Sequence, residues 1–211
     1  MSRPTLALFG DSILDNAPYT GSKPDTTSHL QQMLGDAWTV RRHARDGAVM
    51  SDIAHQLSES QDRPTVAVLS VGGNDLTPHI GILERPVSSS GRVFDDLDGI
   101  VQTFDREYSR VAAAVKAKAD RTILCTIYEA RLDPAPFARR VKVPLAAIND
   151  RIIRIAIRLG LEVLELRLIC TDESDFVQQI EPSARGAEKI ARAIAALVRA
   201  DADLKTTTVY G

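Results

Sequence analysis

Thr5-Leu6-Ala7-Leu8-Phe9-Gly10-Asp11-Ser12 is the stretch on which the reading of this chain turns. A short, mostly apolar run closed by a glycine and a polar turn reads as a strand buried on both faces. The strand delivers a serine to the turn that follows it. Such a serine has two ordinary uses. It caps a helix, and Asp15 stands three residues on in a capping arrangement. Alternatively, it is a nucleophile presented at a strand end.

Working outward, residues 38–42, 65–71, 122–127 and 161–168 are further strand-like runs, with 65–71 the clearest. Helical stripes lie between them. Phe94, Leu97, Val101, Phe104, Tyr108, Val111 and Val115 recur at spacings of three and four, as do Leu145, Ile148, Ile152, Ile155 and Leu159. The last stripe, around Ile190, Ile194 and Leu197, follows Ser183. Residues 76–91 and 128–143 carry prolines, glycine or serines and are expected to be loops. Five strands alternating with helices predict an α/β fold with a parallel sheet, right-handed crossovers and helices on both faces. One domain is expected over 1–205, with a frayed tail at 206–211. Ligands bind beyond the carboxyl ends of such strands. Ser12, Gly47 and Asn74 each follow a strand, so they fall on that edge together.

A net charge of −2 gives no basic field for nucleic acid or an anionic membrane. No apolar run approaches the ~20 residues a membrane span needs. Cys125 and Cys170 lack metal-ligand spacing, and no metal or cofactor is expected. There is no glycine-rich phosphate loop to support a nucleotide. The first strand starts at once, leaving no room for a signal peptide, so a cytoplasmic protein is expected.

Taken together, Gly10-Asp11-Ser12-Ile13-Leu14-Asp15, Asp46-Gly47-Ala48, Gly72-Gly73-Asn74-Asp75 and the helix opening Pro182-Ser183-Ala184-Arg185-Gly186 resemble the motif blocks of the SGNH (GDSL) hydrolases, in order and in spacing. The resemblance covers residues 5 to about 200. It implies a single flavodoxin-like three-layer domain with a five-stranded parallel sheet of order 2-1-3-4-5. It also implies Ser12 as nucleophile, with the Ser12 and Gly47 N–H groups and the Asn74 amide as oxyanion hole. Neutral, preorganised donors suit a tetrahedral oxyanion. Asp11 and Asp75 are read as supporting residues that shape the turns.

The last block departs from the family, which places an Asp and, three residues later, a general-base His before the Pro-Ser pair. Aligned on Pro182-Ser183, those positions hold Gln178 and Glu181. A second register would keep Asp175 and put Gln178 in the place of the His. Neither register supplies a histidine. Glu181 is therefore the candidate base, Gln178 its support, and His79, five residues beyond Asn74, the competing candidate. Free Glu titrates near 4.3, too low for an efficient base at neutral pH unless burial raises it. The function expected is a serine hydrolase with an atypical base acting on a small or polar ester. The alternative is an impaired fold member that binds an acyl, carboxylate or sugar ligand. The partner in either case is a small-molecule ester or acyl ligand.

Overall fold

A computed structural model describes residues 3–200 and 209–210. The chain runs β1 (Thr5–Gly10), α1 (Thr26–Leu34), β2 (Thr39–Arg42), α2 (Ile53–Glu59), β3 (Val66–Ser70), α3 (Gly73–Leu76) and α4 (Ser90–Lys118). It continues through β4 (Arg121–Cys125), α5 (Ala135–Leu159), β5 (Glu162–Leu164), α6 (Leu166–Ile169), β6 (Phe176–Val177), β7 (Glu181–Pro182), α7 (Ala184–Arg199) and β8 (Val209–Tyr210). The main sheet is parallel, in the order β2-β1-β3-β4-β5-β8.

The expected order of the first five strands is present, but the sheet has six strands, not five. Val209 and Tyr210, expected to fray, pair with Val163 and Leu164 of β5. The rest of the expected tail, residues 206–208 and 211, lies outside the described residues. Two paired residues are too few to show a period, so nothing in the sequence announced this strand. A second correction concerns residues 128–143. Helix α5 begins at Ala135, directly after Pro134, and runs through Pro144. A proline at a helix start loses no hydrogen bond. The interior one displaces a bond but does not stop this helix.

Strand β1 is buried on both faces, and its side chains divide the core. Leu6 and Leu8 pack with Val66, Val68 and Ile123 against Leu30 of α1 and Ile190 and Ile194 of α7. Ala7 and Phe9 pack with Ala67, Leu69 and Leu124 against Ile53 of α2, Phe104 and Tyr108 of α4, and Ile148 and Ile152 of α5. Helices α1 and α7 therefore cover one face, and α2, α4 and α5 the other. Cys125 and Cys170 are both buried and free. Among the described residues, no helix is long and apolar enough to cross a membrane.

The carboxyl end of β1 is fixed by a close approach and a clamp. Gly10 has φ +133°, and a Cβ there would stand 1.7 Å from the Ser70 carbonyl oxygen, so only glycine fits. The buried Gln56 amide completes the hold. Its Oε1 accepts from Gly10 N at 2.8 Å, and its Nε2 donates to Gly10 O at 2.9 Å. Gln56→Leu would leave Gly10 N without this partner in the core and take from Gly10 O one of its bonds, the one from Arg45 N at 3.0 Å remaining. It is expected to lower unfolding stability by roughly 2–4 kcal/mol, measured by urea denaturation.

Candidate active site

Just past Gly10 the chain turns tightly. Asp11 O accepts from Leu14 N at 3.1 Å and from Asp15 N at 3.0 Å, and the Asp11 carboxylate accepts from Ile13 N at 3.2 Å. These bonds leave Ser12 at the tip, 9% exposed, on the wall of a cavity of about 200 Å³. Asp11, Asn74, His79 and Glu181 line the same cavity.

Glu181 arrives on an antiparallel hairpin, with Phe176 opposite Pro182 and Val177 opposite Glu181. Each part of the hairpin is tied down. Asn16 Nδ2 donates to Pro182 O at 3.2 Å, and the Tyr128 hydroxyl donates to Ile180 O at 2.5 Å. Ser183 N donates to Asp175 O at 2.9 Å, and Ser183 Oγ donates to Ser174 O at 2.7 Å while capping α7 through Gly186 N. Gly186 lies so close that a Cβ would meet Asp175 O at 2.3 Å. The fully buried Asp175 carboxylate receives Lys189 Nζ at 2.7 Å and Asp172 N at 3.0 Å. It is occupied in holding the hairpin base.

The turn between β6 and β7 brings Glu181 back to the serine. Ser12 and Glu181 line the same cavity, and the Ser12 hydroxyl is near enough to act on the Glu181 carboxyl. The Glu181 Oε2 is buried and makes no hydrogen bond. Burial holds the Glu181 pKa above the ordinary glutamate value and the charge of Asp46 adds to this, while the nearby Ser12 hydroxyl works the other way. Asp11 is affected more strongly. Burial, opposed by the Ile13 N–H and reinforced by the charges of Glu181 and Asp75, raises it to about 7. Among the described residues, no Lys or Arg forms an ion pair with Asp11, Asp46 or Glu181.

Gln178 does not support Glu181. It sits exposed at the hairpin tip with φ +49°, followed by Gln179 at +71°. The three-residue spacing expected to place it beneath Glu181 instead spans a chain reversal. His79 is exposed on the outer wall, and no hydrogen bond joins it to Ser12 or Glu181. His43 stacks on Phe9 with ring centroids 5.1 Å apart, away from the cavity.

Asn74 donates from Nδ2 to Ala48 O at 2.9 Å, which leaves its second amide hydrogen free of that bond. The Asp75 carboxylate accepts from Met50 N at 3.1 Å, so neighbouring side chains of α3 hold the 46–50 turn. Burial raises the Asp75 pKa, and the Met50 bond opposes this. Gly47, at φ +75°, belongs to the held turn but does not line the Ser12 cavity. It borders a separate hollow with Arg45, Asp52 and His55.

Away from its polar end the cavity is apolar, walled by Leu76, Ile80, Leu97, Ile127, Leu145 and Ile148. Two ion pairs lie between the surrounding segments, Arg140 with Glu84 and Lys142 with Glu129. Sequence reasoning missed the anchors Asn16 and Gln56, because an isolated amide in a loop or on a helix carries no signal of its own.

A family model of GDSL-like lipases and acylhydrolases matches residues 8–189. Among solved structures, an extracellular lipase from Streptomyces rimosus aligns with 92% of this chain and 99% of its own, at 12% identity and a TM-score of 0.68. Phospholipase A1 from Streptomyces albidoflavus aligns over 94% and 100%, at 13% identity and 0.68. An acetyl xylan esterase from Geobacillus stearothermophilus (a W215I variant) aligns over 94% and 95%, at 17% identity and 0.66. At these identities the likeness is one of fold. No curated protein gives a significant sequence match.

The raised Asp11 carboxyl has a thermodynamic consequence. Its folded pKa, about 7, exceeds the ordinary 3.8, so the folded state binds more protons between those values. Stability from this group is fully present below about pH 4 and is lost as pH rises through about 7. Asp11→Asn retains the acceptor for Ile13 N and cannot ionise. Its stability relative to the wild type should rise by up to ~4 kcal/mol between pH 4 and pH 8, as read by denaturant unfolding.

Proposed function

The chain belongs to the GDSL-like lipase/acylhydrolase family, the SGNH hydrolases, and we propose that it hydrolyses esters with Ser12 as nucleophile and Glu181 as general base. The observation that carries this reading is that Ser12 and Glu181 line one cavity, with the Glu181 carboxylate buried and, among the described residues, in no ion pair. A hydroxyl attacks only when a positioned base takes its proton. Burial and the Asp46 charge favour proton uptake by Glu181, moving it toward the range useful at neutral pH.

The steps balance as follows. Ser12 Oγ bonds to the ester carbonyl carbon while its proton passes to Glu181, and the carbonyl electron pair moves onto oxygen. The Ser12 N–H and the free Asn74 amide hydrogen are the donors assigned to that oxyanion. Gly47 is kept in a supporting role, since it does not border the cavity. Collapse breaks the bond to the leaving oxygen, which takes the proton from Glu181 and departs as alcohol. Water then gives its proton to Glu181 and attacks the acyl-serine. A second collapse releases the acid and returns the proton to Ser12.

The cavity wall supports an apolar acyl group. The sequence contains no long apolar run in its loops, which favoured a small or polar substrate. The apolar residues are instead contributed singly by the segment after α3, by α4, by the stretch after β4 and by α5. Burying acyl methylenes among them is favourable by about 0.8 kcal/mol each.

Hydrolysis of p-nitrophenyl esters of increasing acyl length, from pH 5 to 9, tests the reading. The wild type should prefer medium chains over acetate, and Ser12→Ala should lose activity. Glu181→Gln should reduce kcat by ~10³–10⁴-fold and Asn74→Ala by ~10²–10³-fold. The acid limb of kcat/KM should fall at a pH above the ordinary glutamate value. Full activity in Ser12→Ala, or no labelling of Ser12 by a fluorophosphonate, would overturn the assignment.

A further inference from the structure

Two strand ends of the sheet are gripped alike. Gln56 holds Gly10, two residues before Ser12, by its N–H and its carbonyl. Asn149, fully buried on α5, holds Ile127 by the same two groups. Its Oδ1 accepts from Ile127 N and its Nδ2 donates to Ile127 O, each at 2.8 Å. Ile127 lies just past β4, and Thr126 before it donates its N–H to Leu164 O of β5 at 3.0 Å. The first grip fixes the origin of the serine turn. The second fixes the origin of residues 128–133.

Those residues run onto the hairpin that carries Glu181. Tyr128, 5% exposed, meets the hairpin at two points. Its ring stands edge-on to Phe176 of β6, with centroids 5.0 Å apart and planes at 75°. Its hydroxyl donates to Ile180 O at 2.5 Å, immediately before β7. Farther along, Arg131 N donates to Gln179 O and Asp133 N to Gln179 Oε1, each at 2.9 Å. These bonds latch the hairpin tip in a left-handed conformation that residues other than glycine adopt only against strain. The Ile180 carbonyl belongs to the planar peptide unit that ends at the Glu181 Cα. Fixing the direction of that carbonyl fixes the plane from which the Glu181 side chain departs. Asn16, bonded to Pro182 O at 3.2 Å, restrains the chain on the other side. Tyr128, Ile180 and Glu181 all line the Ser12 cavity.

Resting on the reading of Glu181 as general base, we propose that Tyr128 is a positioning residue. Its hydroxyl, referenced to the sheet through Asn149 and Ile127, sets the direction in which Glu181 enters the cavity it shares with Ser12. In this role the tyrosine touches no reacting atom and acts wholly through Glu181. Removing the hydroxyl leaves the ring against Phe176 and the latch at Gln179 in place. The hairpin then stays folded, but the peptide unit before Glu181 is free to turn. A misplaced base slows proton transfer and leaves substrate binding unchanged.

The test is a double-mutant cycle on the full chain, with p-nitrophenyl octanoate as substrate. Tyr128→Phe should lower kcat by ~10–100-fold. KM should change by less than about twofold. In the Glu181→Gln background the same substitution should lower kcat by less than about twofold, because the residue it positions is no longer a base. A hydroxyl that served only packing, or that touched the ester itself, would cause equal losses in both backgrounds. That result, or an unchanged kcat in Tyr128→Phe, overturns the proposal. Carbon-13 NMR of the carboxyl groups gives a readout independent of turnover, with the Glu181 resonance identified by its absence from Glu181→Gln. In Tyr128→Phe it should titrate closer to the ordinary 4.5 than in the wild type, since burial is the leading cause of its raised pKa and a loosened carboxyl meets water. If Glu181→Gln retains the wild-type rate, the general-base reading fails separately. The titration then decides the positioning alone: a lowered midpoint supports it, and an unchanged midpoint overturns it.

Discussion

Carboxylates buried without a cation are the constraint under which this site is arranged. Asp11 is 3% exposed and Glu181 9%, and among the described residues no basic side chain forms an ion pair with either one. An unpaired buried charge is costly, and proteins normally relieve it by pairing or by holding a proton. Here the relief is partial. Asp11 takes one backbone N–H and shifts its titration, whereas Glu181 keeps one buried carboxylate oxygen without a partner. The cost is met by the rest of the fold, whose parallel sheet is covered on both faces by apolar helices.

Holding such a group in place demands rigidity, and the hairpin supplies it. Its base is locked by Asp175 and Lys189 and by the packing of Gly186 against Asp175 O, and its far strand is hung from Asn16. Asn16 also receives Thr26 N at 3.0 Å, so the same amide ties the start of α1 to the hairpin. On the other side of Ser12, α3 grips the 46–50 turn through Asn74 and Asp75. Gln56 sets the position from which the serine turn departs. Each of the three walls is thus held by side-chain-to-backbone bonds that local sequence patterns do not display.

The sheet was legible because β1, β3 and β4 are largely apolar runs long enough to stand out, and because Gly10, Gly47 and Gly72 punctuate the chain. The sixth strand was not, since Val209–Tyr210 owes its conformation to the edge of β5 and not to its own composition. Prolines 134, 136 and 144 concealed the start of α5, although only the last lies where proline opposes a helix. Glu181, picked out by its register before Pro182-Ser183, lines the same cavity as Ser12. Gln178 was misjudged because spacing along a chain says nothing about a reversal within it. The apolar cavity was invisible for a related reason: its walls come from separate segments that meet only after folding.

The placement of Ser12 and Glu181 on one cavity has a further electrical consequence. With an imidazole base, proton transfer from serine creates a cation and an oxyanion side by side, and the pair attract one another. With a glutamate, the base begins negative and ends neutral, so the same step carries an existing charge from one end of the site to the other. The total stays constant, and no counter-cation forms to steady the tetrahedral centre. The donors around that centre must then compete with the environment Glu181 occupied before the step. A glutamate kept poorly solvated gives up its charge more readily than one bathed in water. The shortage of partners around its carboxylate is, on the proposed reading, what drives the charge toward the substrate.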